Sequence, residues 1–461
     1  MPYPKSPRTL ALEAADRAHL WHPFTQAAEW DEEEMLIVER AEGCWLVDTE
    51  GRRYLDGVSS LWVNVHGHRR AEIDRAIAEQ LGRVAHSTLL GLASVPSIEL
   101  ARRLIELAPG RLSRVFYSDS GSTAVEVALK MAYQFFRQRG RPGDERRTRF
   151  VAFTDAYHGD TVGSVSLGGI DLFHGIYRPL LFDALRAPYP YCYRCPEGKR
   201  PESCAMSCLG RLGELLDRHG EEVCAVVIEP LVQGAAGIIT APDGFLAGVK
   251  ELCRRHGVLL VCDEVATGFG RTGTFFACEQ EGVEPDLLCL AKGISGGYLP
   301  LAATLVTEEV YEAFRGPYEA HRTFFHGHSY TGNPLACAAG LASLDVFASE
   351  RLIEKLPARS ARLQRRLAEE VEPLEPVGEV RQRGLMVGIE LVADRATREA
   401  YPPALRLGRR VILAARERGV VIRPLGDVIV LMPPLAVSEE ELDLLVRVTA
   451  ESIRAAAESI G

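Results

Sequence analysis

Two short apolar runs lead into single ionisable residues. Val258–Cys262 runs into Asp263, and Leu287–Leu290 runs through Ala291 into Lys292. A lysine at the end of a buried strand is partly desolvated. That lowers its pKa and favours the neutral amine that attacks a carbonyl. A carboxylate nearby is suited to hold a protonated ring nitrogen, and the pair is what makes pyridoxal phosphate an electron sink. Taken singly, Lys292 also reads as a surface lysine and Asp263 as a cap or ion-pair partner. Glycines follow both closely, as close backbone approach to a ligand requires.

Three further segments carry polar chemistry. Phe116–Thr123, with Ser120-Gly121-Ser122, reads as a strand, a small-residue turn and the start of a helix over Ala124–Phe136. Free N–H groups and the helix dipole there bind phosphate, although Ser and Gly before a helix are also ordinary capping residues. Phe150–Asp160 places Tyr157 at a strand end, where its ring suits stacking on a flat cofactor or packing at the core edge. Phe324–Pro334 is a polar, Gly-rich loop before a helix, containing His326 and His328. No third ligand sits at metal spacing and the chain has no His-Glu-x-x-His helix, so no metal is expected.

Those residues need a frame. Leu10–Trp21 is helix-like, and strand-like pieces follow at Met35–Arg40, Cys44–Asp48 and Arg53–Asp56, with hairpin-turn composition at 49–52. From about residue 70 to 340, compact apolar runs alternate with helical stretches: Arg114–Tyr117, Phe150–Phe153, Cys224–Ile228, Val258–Cys262, Leu287–Leu290 and Leu301–Val306. This predicts an α/β fold whose mostly parallel central sheet is covered by helices on both faces, with ligands at the carboxyl ends of the strands. The tail mixes helices with strand-like runs at Leu385–Leu391 and Val428–Met432. The expected division is a large domain over 71–340 and a smaller α+β domain built from 1–70 and 341–461.

Composition narrows the function classes. The 461 residues carry a net charge of −10, with 47% apolar and 25% charged residues, which excludes collagen-like and disordered chains. The acidic balance argues against a nucleic-acid binder. No run approaches the roughly 18 apolar residues of a membrane span. Met1–Leu10 has prolines and scattered basic residues with no apolar stretch behind it, so no secretory signal is expected. The eleven cysteines are dilute and mostly inside apolar runs, which points to reduced thiols and a cytoplasmic protein.

Together, the Asp263–Lys292 run, Ser120-Gly121-Ser122, Tyr157-His158-Gly159 and Gly332-Asn333-Pro334 resemble the class III (ω-type) aminotransferases of fold type I. The resemblance covers essentially the whole chain and implies pyridoxal 5′-phosphate as cofactor. It further implies a homodimer with shared active sites, small-molecule substrates, and neither nucleic acid nor membrane as partner. His19–Gln26, Asp56–Trp62, Ile228–Gly234 and Ile422–Gly426 are similar to the biotin-pathway branch, which aminates 8-amino-7-oxononanoate to 7,8-diaminononanoate. By this resemblance Lys292 bonds the cofactor and then shuttles a proton, and Asp263 pairs with the pyridine nitrogen. Tyr157 stacks on the ring, and His158 belongs to the cofactor's surroundings. Gly121 and Ser122 bind the phosphate, Ser329 reaches it across the dimer interface, and Glu229 lies by the 3-hydroxyl edge. Arg423 holds the far carboxylate of the substrate; Phe24, Leu61, Trp62, Asp160, Arg271 and Gly327 are further substrate positions.

Relatives that take their amino group from S-adenosylmethionine carry Tyr at the Phe24 position and Trp at the Leu61 position. The version here resembles the lysine-using subgroup, so the donor stays open between the two. Other ω-aminotransferases, acting on ornithine, γ-aminobutyrate or diamines, are the nearest alternative. A different class, a zinc-stapled binding module with a degenerate cofactor site, rests on Cys192, Cys195, Cys204 and Cys208. Their Cys-x-x-Cys and Cys-x-x-x-Cys spacing is open to a structural metal, a disulfide or free thiols.

Overall fold

A computed structural model describes residues 5–460. Residues 1–4, within the stretch read for a secretory signal, and residue 461 lie outside it. The central sheet has seven strands in the order Leu112–Ser118, Ala302–Thr307, Leu287–Leu290, Leu259–Asp263, Val223–Ile228, Arg149–Phe153 and Leu185–Ala187. All neighbours pair in parallel except Ala302–Thr307, which is antiparallel to both strands beside it. Val223–Ile228, Leu287–Leu290 and Ala302–Thr307 are buried at every residue, as strands covered on both faces must be. The six longer strands fall on the expected apolar runs, with ends moved by at most two residues and Leu287–Leu290 unmoved. Leu185–Ala187 is a short edge strand whose single buried residue, Ala187, gave no apolar run to read.

The helix Gly121–Arg139 lies on one face of the sheet through Ala124, Ala128 and Ala132, whose small side chains let it approach closely. Thr304 Oγ1 donates to the Ala124 carbonyl at 2.8 Å, fixing this helix over the reversed strand. The first turn of the helix therefore stands at the carboxyl edge of the sheet.

Two four-stranded sheets are built from the chain ends. Val38–Glu42, Trp45–Asp48 and Arg53–Asp56 form an antiparallel meander, and Leu55 pairs in parallel with Val420. The strands Val377–Arg383, Met386–Leu391, Val428–Leu431 and Arg423–Leu425 form the other. The C-terminal helix Glu439–Glu458 starts with a capping box between Ser438 and Glu441, and Glu441 Oε1 accepts from Trp45 Nε1 at 2.7 Å. No helix of the described residues is long and apolar enough to cross a membrane.

Candidate active site

Five parallel strands deliver their next residues to one edge of the sheet. Ser118 leads to Asp119 and the helix start at Gly121, Phe153 to Tyr157 and His158, Ile228 to Glu229, and Leu290 to Lys292, while Asp263 is itself the last residue of its strand. These side chains line one cavity of about 770 Å3. It lies where ligands collect in open α/β sheets.

Lys292 opens a short helical turn with φ 48°, a left-handed conformation that turns its side chain into the cavity. Its Nζ lies 4.9 Å from the centroid of the Trp62 ring. Burial lowers its pKa to about 8, partly countered by Asp263 and Glu229, which favours the neutral amine more than in a free lysine. Asp263 is 4% exposed. Its Oδ2 lies 2.7 Å from His158 Nδ1 and its Oδ1 accepts from the Val265 N–H at 3.1 Å. A carboxylate only accepts, so the His158 proton sits on Nδ1, and the imidazole fixes the carboxylate's direction. His158 thus reaches the site through Asp263 as well as lining the cavity.

Glu229 accepts from the backbone N–H groups of Tyr157 at 3.1 Å and Gly234 at 2.9 Å. Burial pushes it up to about 7, and the neighbouring Asp263 charge acts in the same direction. Tyr157 donates to Asp160 Oδ2 at 2.6 Å, which sets the ring's tilt on the cavity wall.

At the helix start, Ser120 Oγ accepts from Thr123 N–H in a capping box. The N–H groups of Gly121 and Ser122 have no acceptor among the described residues, and they stand at the positive end of a 19-residue helix. Ser122 Oγ lies 2.7 Å from Thr161 Oγ1, and Thr161 Oγ1 donates to Glu126 at 2.5 Å. The Thr161 proton is thereby committed, so Ser122 Oγ donates to Thr161 Oγ1, and the free donors at this helix start are the Gly121 and Ser122 N–H groups. A Cβ on Gly121 would meet Val265 at 2.5 Å. The unpaired N–H groups, the buried carboxylate and the desolvated lysine fit a flat, phosphate-bearing pyridine.

The opposite wall comes from the chain ends. Phe24, Leu61 and Trp62 line it, with Arg423 from the edge strand Arg423–Leu425. Burial lowers the Arg423 pKa, and among the described residues no group accepts a hydrogen bond from its guanidinium. Ser59, Ser60, Leu61 and Trp62 all have φ between 49° and 83°. Non-glycine residues in this region cost about 1–2 kcal/mol each, so surrounding contacts must hold the turn.

Three expected site residues stand outside this cavity. Arg271 is buried, and its guanidinium donates to the carbonyls of Pro433 at 2.7 Å, Asn64 at 2.5 Å and Trp62 at 3.4 Å. It braces the wall from behind instead of facing a substrate. Gly327 and Ser329 are exposed on the loop before the helix Pro334–Ser349. That loop is tied to the cavity mouth by His328 Nδ1, 2.8 Å from Asp119 Oδ2. Thr161 and Phe173 are among the lining residues that the sequence did not single out. Thr161 follows Asp160 directly and was within reach of it, whereas Phe173, edge-on to Phe24 at 5.4 Å, carries no local signal.

All eleven cysteines are free thiols. Burial and the nearby Cys195 push Cys208 up to about 11. Among the described residues no three His, Cys, Asp or Glu side chains are placed to hold a metal.

The Aminotransferase class-III family profile matches residues 26–453. The adenosylmethionine-8-amino-7-oxononanoate aminotransferase of Nitratidesulfovibrio vulgaris is 63% identical over 451 residues, 98% of this chain and 83% of the relative. The solved structure of the enzyme of that name from Methanocaldococcus jannaschii superposes with a TM-score of 0.92 at 46% identity, covering 97% of this chain and 99% of that one. An amine transaminase from an uncultivated Pseudomonas species, solved with pyridoxal phosphate bound, superposes with a TM-score of 0.89 at 38% identity over 96% and 99%. With the Lys292–Asp263 pair and the helix start at one sheet edge, these likenesses make this chain a member of the class III aminotransferase family.

Proposed function

We propose that the chain aminates 8-amino-7-oxononanoate to 7,8-diaminononanoate in biotin synthesis, with pyridoxal 5′-phosphate as cofactor and S-adenosylmethionine or lysine as amino donor. The observation that carries the substrate reading is Arg423, on the wall of the cavity that holds Lys292, whose guanidinium has no hydrogen-bond acceptor among the described residues. A desolvated guanidinium takes a carboxylate bidentately, and the oxononanoate's far carboxylate is the group it fits. Asp160, exposed on the same cavity, suits the substrate's amino group. The names of the relatives point to adenosylmethionine as donor, while Phe24 and Leu61 favour lysine.

The cofactor supplies a carbonyl that takes up the amino group and a ring that accepts the electron pair released at the substrate carbon. Lys292 Nζ, neutral in part because it is buried, removes the proton from that carbon and returns it. Asp263, oriented by His158, holds the proton on the ring nitrogen. The Gly121 and Ser122 N–H groups would hold the phosphate, and Tyr157, on the cavity wall, would cover the ring.

Both chain ends belong to one smaller unit, which the Leu55–Val420 pairing and the Trp45–Glu441 bond support. The enzyme works as a homodimer in the cytoplasm. Leu90, Leu172, Phe325 and Tyr330 are exposed by 90%, 89%, 77% and 63%, large apolar side chains left for a second copy to cover. Its exposed loop would then bring Ser329 and Gly327 to the partner's cavity.

The test is product formation from 8-amino-7-oxononanoate with each donor in turn, together with Arg423→Ala. Wild type forms diaminononanoate with at least one donor. Arg423→Ala raises the acceptor KM by about 30-fold or more, as loss of a charged partner worth ~2–5 kcal/mol requires. Activity with adenosylmethionine and none with lysine removes the lysine reading. No product with either donor removes the substrate.

A further inference from the structure

The cavity wall opposite Lys292 is a left-handed turn of four consecutive non-glycine residues, Ser59–Trp62. Such a turn persists only where its surroundings over-determine it, and strain of this kind clusters at functional sites. Asp56 supplies the determining contacts. Its side chain is fully buried, Oδ1 accepts from the Ser60 N–H at 2.8 Å, and Oδ2 accepts from Ser60 Oγ at 2.7 Å. Oδ2 also lies 3.0 Å from His68 Nε2, while His68 Nδ1 lies 3.1 Å from Asn64 Nδ2. The carboxylate and the amide fix the imidazole as the Nε2–H tautomer, so the frame closes on itself. Arg271 completes it by holding the Trp62 and Asn64 carbonyls.

The turn presents Leu61 and Trp62 to the cavity. Trp62 is 6% exposed and its Nε1–H has no acceptor among the described residues. A buried donor without a partner in a ligand cavity marks a hydrogen bond to be made with what binds there. We infer that Asp56 is a positioning residue: by holding the Ser59–Trp62 turn left-handed it aims Trp62 and Leu61 at the acceptor, and so sets the acceptor's fit without touching it. The cofactor's phosphate and ring-nitrogen contacts would come from Gly121, Ser122 and Asp263, at the helix start and the sheet edge, and the turn meets the cofactor's lysine only through the Trp62 ring, 4.9 Å from Lys292 Nζ. This inference rests on the reading of the cavity as the amino-transfer site.

The experiment compares Asp56→Asn, Ser60→Ala and Ser60→Gly in the full chain, recording acceptor KM, kcat and, by absorbance titration, cofactor Kd. Asp56→Asn lowers kcat/KM by up to about 10²-fold, as a displacement of ~1 Å costs, with at least about tenfold of it in acceptor KM and with cofactor Kd nearly unchanged. Ser60→Ala, which loses the hydroxyl bond and keeps the strained φ, raises KM more than Ser60→Gly, which relieves the strain. Wild-type KM in folded Asp56→Asn overturns the inference. So does a rise in cofactor Kd parallel to that in KM, which marks Asp56 as part of the general scaffold. If Asp56→Asn does not fold, the Ser60 pair decides: equal KM for alanine, glycine and wild type overturns the inference. If wild type turns over no 8-amino-7-oxononanoate, the substrate reading fails on its own, and the same comparison is read on the ketone that wild type does aminate.

Discussion

Lys292→Ala abolishes turnover while the protein stays folded. The side chain supplies both the amine that receives the cofactor and the base at the substrate carbon, and general acid–base catalysis alone contributes about 10²–10⁴-fold. A fall of at least about 10⁴-fold is therefore expected. Folding survives because the buried amine is a cost to the native state: its pKa is lowered to about 8 by desolvation. Alanine keeps a Cβ at the φ of 48° that lysine already tolerates, so it adds no backbone strain. Circular dichroism separates lost activity from lost fold. Turnover in this variant comparable to wild type would remove Lys292 from its role.

Asp263→Asn is the second large effect. The change keeps the shape and removes the negative charge that stabilises a protonated ring nitrogen. It also replaces the oxygen 2.7 Å from His158 Nδ1 or turns an amide nitrogen towards it. Loss of one preorganised electrostatic partner at a reacting centre costs about 10²–10³-fold in kcat. The cofactor remains bound through the helix start, so kcat falls while cofactor Kd changes little. Unchanged kcat would mean that the ring nitrogen does not meet this carboxylate.

The chemistry was legible in the sequence where local pattern and function coincide. Asp263 and Lys292 each terminate a buried strand, and strands buried on both faces announce themselves as apolar runs. The helix start was legible for the same reason, because Ser120-Gly121-Ser122 is a cap whose following residues line the cavity. Arg271 shows the limit. It lies a few residues from Asp263 in sequence, but its direction is set by the Asn64 and Pro433 carbonyls, contacts far apart in the chain. Asp56 was legible as the end of a strand and the start of the branch-like Asp56–Trp62 segment, but not as a brace, since nothing in its neighbours signals four successive left-handed residues without a glycine. Phe173 was unreadable because its place on the rim is fixed by tertiary contact with Phe24. The four clustered cysteines carried a spacing signal for metal that the folded positions do not support among the described residues.

The most direct measurement is to load the purified chain with pyridoxal phosphate, fix the cofactor to its amine with borohydride, and map the modified peptide by mass spectrometry. The added mass falls on Lys292 alone, the lysine held over Trp62 at the carboxyl edge of the sheet. Modification at another lysine, such as Lys130 outside the cavity, or at none, would contradict the placement of amino transfer at this site.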